Sequence, residues 1–191
     1  TTNIRVVSAD DLGKGVVKDR DYRDIDGLLT NMPGVTLVTF FADCVPLYFV
    51  DPLHHAIGLS HSGWRGTVQK IGEVTIKKMA EEYGSNPKDM KVAIGPSICQ
   101  DCYEVSLDVI EEFKNAFDQK HWDKLFYGKD NGKYQLNLWE ANRIIFTEAG
   151  ICPENISMPN ICTCCNPKFL FSHRASHGKR GNLGAFLGIR E

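Results

Sequence analysis

The sequence predicts an α+β or layered α/β sandwich, and three observations carry that prediction. Short β-branched and aromatic runs crowd the first third of the chain, among them "GVTLVTFF" (34–41) and "VPLYFV" (45–50). Amphipathic helical patterns follow them. Strands and helices are mixed along the chain rather than strictly alternating, which disfavours a doubly wound parallel sheet. A chain of 191 residues, 42% hydrophobic and 24% charged, is expected to form a single domain over 1–191 with a sizeable core.

"NIRVV" (3–7) reads as the first strand, entered with no capping residues before it. A polar, charge-rich loop over 9–26 leads to 34–41, a run apolar enough to predict a strand buried on both faces. The next run, 45–50, ends at the turn pair Asp51-Pro52, and "AIGLSH" (56–61) returns after it, which predicts an antiparallel pair. From 67 to 83 Val68, Ile71, Val74, Ile76 and Met79 gather toward one helical face, Lys and Glu hold the other, and Gly84 is the stop. A strand at 91–94 precedes the Gly95-Pro96 turn. Helices are predicted over 106–117 and 137–149, with Ser106 and Asn137 as N-caps and Gly150 ending the second. Two last strands are expected at "FLFSHR" (169–174) and "GAFLGI" (184–189).

A formal net charge of -2 gives no general electrostatic attraction toward nucleic acid or an anionic membrane. A small-molecule partner is the expectation. There is no eighteen-residue apolar run and no basic-then-apolar leader, so the reading is cytoplasmic. Seven cysteines, an odd number, without a secretory leader are expected as reduced thiols.

Cys44 and His61 each stand at the end of an apolar run, seventeen residues apart. If the two runs pair antiparallel, the start of one lies beside the end of the other, and thiol and imidazole meet at one sheet edge. A cysteine at a strand end is ordinarily inert packing. The neighbours here argue for more: Asp43 precedes the cysteine, Pro46 restrains the strand, and Gly63 and Gly66 bracket Trp64-Arg65 and allow close backbone approach. Arg65 can fork onto phosphate or carboxylate, its plain alternative being a surface ion pair. The helix expected behind "HSGWRG" would point its free N–H groups back at His61.

Cys99-x-x-Cys102 and the downstream "CTCC" (162–165) supply enough thiolates for a structural zinc. Their separation of about sixty residues, against about 15–20 between the pairs of a zinc ribbon, argues against it and leaves a packing role. His54 and His55 read as solvated turn residues, and His121 has no carboxylate nearby in sequence. His173 and His177 lie in "FSHRASHGKRG", an anion-binding strip or a charged surface loop.

"ADCVP", then "HSGWRG", "IGPSIC..CYEV" and "CT......FLFSHR....GKRG" together resemble the laccase-domain family, whose members were called multicopper polyphenol oxidases and are now read as purine nucleoside phosphorylases. The resemblance runs in order over nearly all of the chain. It implies a four-layer α/β/β/α sandwich with mixed sheets and a metal site of two histidines and one cysteine, assigned to zinc, with copper reported in some members. Cys44 and His61 carry over as ligands. The third, a histidine in a Gln-Val-His segment, would fall just upstream of Thr1, so the resemblance implies an N-terminally shortened chain with a weakened site, since catalytic zinc takes three protein ligands.

The activity implied is phosphorolysis of adenosine, inosine and methylthioadenosine, with deamination of adenosine as a second reaction. Cys44, His61 and Asp43 are then the catalytic candidates, Asp43 as proton shuttle, and Arg65 the phosphate seat. Three alternatives stay open. Cys44 and His61 could serve a metal-free hydrolase or deamidase as nucleophile and base. Copper oxidation of phenols would need more clustered histidines than six scattered ones provide. A non-enzymatic binding module, or a homo-oligomer closing over an apolar surface, is the third.

Overall fold

The computed structural model describes residues 1–190. Five strands come first: β1 (Ile4–Val6), β2 (Gly27–Thr30), β3 (Thr36–Phe41), β4 (Val45–Asp51) and β5 (Ala56–Ser62). Helices α1 (Trp64–Val68) and α2 (Ile71–Tyr83) follow, then β6 (Lys91–Ile94), β7 (Glu104–Val105), α3 (Leu107–Ala116) and the single turn α4 (Trp122–Leu125). The chain closes with β8 (Phe126–Gly128), β9 (Tyr134–Leu136), α5 (Leu138–Glu148), β10 (Ile156–Ser157) and β11 (Leu183–Gly188).

The main sheet has six strands in the order β1-β2-β5-β4-β6-β10. It is mixed: its outer pairs β1/β2 and β6/β10 are parallel and the central pairs antiparallel. A second sheet pairs β3 with β11 antiparallel, and a small three-stranded sheet, β7-β9-β8, lies apart. This is a layered α/β fold built on a mixed main sheet, in keeping with the layered architecture that the sequence predicts.

Alternation along the central strands decides which layer each side chain enters. Leu47 and Phe49 of β4 face the helices, where Phe49 meets Phe146 of α5 edge to face at 5.4 Å and Ile71 and Met79 of α2 close the core. Ile57 and Leu59 of β5 face the other way, against Leu37, Phe41 and Ala185 of the second sheet. Each fully buried aliphatic or aromatic side chain contributes about 1.5–3 kcal/mol. At Gly58 a Cβ would stand 2.7 Å from Leu29 and 3.4 Å from Met79, so the glycine lets α2 settle directly on β5.

Several expectations are corrected. The helix expected over 67–83 begins earlier and breaks: α1 ends at Val68, and Lys70 takes φ +56° before α2 starts. No Gly or Pro marks the break; Gly66 of α1 packs closely against the His61 carbonyl and Ile71, which seats the short helix directly after β5. The run 34–41 is not covered on both faces: Leu37 and Phe41 point inward, but Phe40 and its neighbour Phe186 are 53% and 62% exposed, because β3 belongs to the outer sheet. The segment "FLFSHR" forms turns with Phe169 86% exposed, since its backbone finds no strand partner among the described residues. Asn137 does cap α5, accepting from the Glu140 amide at 3.0 Å. His54 is not merely solvated: its Nδ1 bonds the buried Asp51 carboxylate at 2.8 Å, while Asp51 accepts from the Leu53 and His54 amides to close the β4–β5 turn. His121 likewise meets a carboxylate distant in sequence, Glu148, at 3.2 Å. Among the described residues no helix is long and apolar enough to cross a membrane.

Candidate active site

The β4–β5 register pairs Val45 with Ser62 and Pro46 with His61. Cys44, one residue before β4, therefore falls beside Gly63, one residue after β5. Because side chains alternate, Cys44, Pro46, His61 and Gly63 share a face. An added Cβ at Gly63 would lie 3.2 Å from Cys44 Sγ and 3.9 Å from His61 Cε1. Thiol and imidazole thus border one hollow, and Gly63 keeps it open. With φ -75° and ψ 177°, this glycine serves space rather than backbone freedom.

His61 is held from behind. Its amide donates to the Asp26 carbonyl at 2.7 Å, and its Nδ1 faces Asp26 Oδ1 at 3.5 Å. A carboxylate on one ring nitrogen leaves the other for a metal or a proton. Beneath it, the buried hydroxyls of Ser62 and Thr67 lie 2.9 Å apart, and their two protons are shared among this contact, the side-chain oxygen of Asn142 of α5 and the Gly63 carbonyl. This network seats α1 against the end of β5.

Asp43 takes φ +80°, a conformation that costs a non-glycine residue about 1–3 kcal/mol. Three contacts hold it there: its carbonyl accepts from the Ile98 amide at 3.0 Å, and its carboxylate accepts from Thr163 Oγ1 and the Arg174 amide, both at 2.7 Å. Both carboxylate oxygens are engaged. Arg174 in turn donates to the carbonyls of Cys102 and Glu104 and lies over the Tyr103 ring at 5.5 Å.

Burial pushes the Cys44 thiol above its ordinary pKa and Asp43 adds to this, with Arg180 opposing. Burial also pulls His61 below 6.5 against the attraction of Asp26, so the imidazole is neutral near pH 7. Tyr103 is pushed up to about 12, by burial first and by Cys44 next; its hydroxyl stays protonated. A buried, protonated thiol is a poor nucleophile but a good ligand for an ion that displaces its proton. Arg65 is exposed, stacks on Trp64 at 4.2 Å and forms no ion pair among the described residues. On the Asp26 side of His61 a cleft of about 350 Å³ opens toward β3 and is lined by Tyr22, Arg20 and Phe40.

Sequence reasoning brings Cys44, His61 and Asp43 to one place, and the structure adds Asp26, Tyr103, Thr163 and Arg174. The C-terminal pair has a signal in the "CT" and "SHR" segments and Tyr103 in the "CYEV" segment, while Asp26 has none beyond its neighbours. The spacing argument against a tetracysteine cluster is overturned: Cys99, Cys102, Cys162 and Cys165 gather with all four sulfurs within 4.8 Å of one another. Among the described residues no other group of three or more such side chains is close enough to hold a metal ion.

A family model described as multi-copper polyphenol oxidoreductase laccase matches residues 1–190. The chain belongs to this family. Purine nucleoside phosphorylase YlmD of Bacillus subtilis is 38% identical over 192 residues, an alignment covering 98% of this chain and 67% of that protein. Adenosine deaminase RL5, from an unknown prokaryotic organism, is 36% identical over 150 residues, covering 78% and 56%. The crystal structure of the hypothetical protein YfiH from Bacillus licheniformis superposes with a TM-score of 0.94 at 37% identity, over 99% of this chain and 71% of that one. For this laccase-family chain, the name's multicopper chemistry finds no histidine cluster among the described residues. His54 and His121 are tied to Asp51 and Glu148, and His173 to Arg180.

Proposed function

We propose that this chain carries the reaction centre of a purine nucleoside phosphorylase acting on adenosine, inosine and methylthioadenosine, with deamination of adenosine as a second activity. One observation carries the reading: Cys44 and His61 border a single hollow across Gly63. The naming of relatives as purine nucleoside phosphorylase and adenosine deaminase supports it.

A soft thiolate beside a neutral imidazole, with a carboxylate behind the ring, is a donor set that suits zinc, with copper the alternative. Cys44 and His61 would hold the ion, leaving its remaining positions for a further ligand and for water or substrate. Bound there, zinc supplies Lewis acidity and lowers the pKa of water. The chain's own residues do the rest. Arg65, with no carboxylate partner among the described residues, offers its forked donors to phosphate, and Arg180 adds positive charge near Cys44. Tyr103 provides a neutral hydroxyl donor beside the site. Asp43, with both carboxylate oxygens engaged, positions Cys44; a proton-shuttle part would need one of those bonds to open. The metal-free hydrolase reading is disfavoured because burial raises the Cys44 thiol.

The test supplies adenosine with and without phosphate, to this chain and to a form extended to the length of its relatives, and follows base and ribose 1-phosphate. Phosphate-dependent release of free base, lost in Cys44→Ala and His61→Ala, is expected from the extended form. Release independent of phosphate, or undiminished by those substitutions, overturns the reading.

A further inference from the structure

Four cysteines remain outside that site, and their arrangement is not that of packing residues. Cys165 is exposed and Cys99 and Cys102 are half-buried, whereas cysteines used as small hydrophobes are among the most buried residues. They come as two C-x-x-C turns, Cys99-Gln100-Asp101-Cys102 and Cys162-Thr163-Cys164-Cys165. The first is a short 3-10 turn after β6, closed by the Cys102 amide on the Cys99 carbonyl at 3.2 Å.

A backbone bridge zips the two turns together. The Ser97 amide donates to Ile161 and the Thr163 amide to Ser97, each at 3.1 Å. This places Cys165 Sγ 3.5 Å from Cys102 Sγ and 3.9 Å from Cys99 Sγ, and all four sulfurs within 4.8 Å of one another. A tetrahedral ion with Zn–S bonds of about 2.3 Å spaces its sulfurs by about 3.8 Å. The sulfurs thus sit near the corners that such an ion requires, and far beyond the roughly 2.05 Å of a disulfide.

Around the cluster, the backbone is arranged for negative sulfur. The amides of Cys99 and Cys165 both donate to Cys162 Sγ, at 3.3 and 3.4 Å. Backbone donors converging on one sulfur are the outer partners that thiolate ligands of a metal keep. Two C-x-x-C turns from separate loops are also the ligand spacing of structural zinc sites.

We infer that Cys99, Cys102, Cys162 and Cys165 form a structural tetrathiolate zinc centre that locks together the two loops supporting Asp43. On binding, four zinc–sulfur bonds form and each thiol still protonated gives its proton to solvent. The centre reaches Asp43 by two short routes. Thr163, next to Cys162, donates to one carboxylate oxygen. Arg174, whose guanidinium holds the Cys102 carbonyl, donates its amide to the other. The zinc centre is separate from Cys44 and His61, so either assignment can fail alone.

The experiment uses the protein purified under reducing conditions without chelator, with Cys44→Ala and His61→Ala combined to remove the other proposed ligands. Mass spectrometry of its metal content is expected to find about one zinc per chain. Cobalt reconstitution should give the intense visible bands of tetrahedral thiolate coordination. Adding Cys102→Ser or Cys165→Ser should abolish both, while Cys164→Ser leaves both intact; if a serine variant fails to fold, the cobalt spectrum of the parent decides. Zinc absent and no tetrathiolate spectrum after reconstitution would overturn the assignment. So would iron in place of zinc, a disulfide between Cys102 and Cys165 in the reduced preparation, or equal loss in Cys164→Ser.

Discussion

Replacing Gly63 by alanine separates the stability of the fold from the geometry of the site. The backbone at Gly63 is extended, φ -75° and ψ 177°, so alanine fits it without strain, and the smaller entropy of the unfolded chain favours the variant by about 0.4–1 kcal/mol. Against this, the new methyl stands 3.2 Å from Cys44 Sγ. Reaching ordinary contact requires the sulfur to retreat by about 0.5 Å. The methyl also occupies the hollow between sulfur and imidazole. The two stability effects oppose each other, and thermal unfolding should shift by no more than about 2–4 °C. A site that tolerates about 0.5 Å of error should lose far more: about tenfold to a hundredfold in phosphate-dependent turnover, with weaker zinc binding at Cys44 and His61. Turnover and zinc competition are measured on the extended form, and unfolding on both forms. Wild-type turnover and zinc affinity in Gly63→Ala would refute the assignment of that hollow, as would activity lost only together with the fold.

Arg65→Ala should raise the phosphate concentration needed for phosphorolysis by about tenfold and leave deamination of adenosine nearly unchanged; initial rates at varied phosphate check this, and equal losses count against the phosphate role. Thr163→Val leaves one oxygen of buried Asp43 without its partner, and chemical denaturation should show about 1–3 kcal/mol of lost stability. Asp11 accepts from Lys14 and Arg5, each at 2.9 Å, and chiefly the Lys14 bond holds its pKa at about 2, down from 3.8. A carboxylate so depressed stabilises the fold in full above its unfolded pKa and loses that contribution as pH falls toward 2. Denaturation followed between about pH 5 and 2 should show this loss, and Asp11→Asn should flatten it.

The centre of the fold was legible because it is local. Two apolar runs around Asp51-Pro52 can hardly pair other than as a hairpin, and the hairpin alone juxtaposes the flanks holding Cys44 and His61. Asn137 announces α5 by chemistry that acts within three residues. What escaped depends on distance along the chain. Asp43 meets Thr163 and Arg174 across 120 and 131 residues, and no local pattern encodes such a meeting. The cysteine pairs misled for the same reason: the spacing rule for a ribbon assumes one continuous hairpin, whereas here the parallel pairing of β6 with β10 and the Ser97–Cys162 bridge draw distant turns together. The residues 169–174 have the apolar content of a strand, but content cannot supply a neighbour to bond with. At Lys70 a residue of good helix propensity adopts a left-handed conformation between α1 and α2, where tertiary packing overrides propensity.

Placing the reactive pair at the open end of the β4–β5 hairpin leaves its closed end free to change. Residues 52–55 connect the strands from far across the sheet, so a longer loop or an inserted peptide there lets the ladder keep its alignment and the sulfur keep its distance from the ring. Dropping one residue within either strand does the opposite, for it turns one of the pair toward the helices. Loop length can therefore vary among descendants of this chain while strand length stays fixed, and the tip is the natural place to attach a probe.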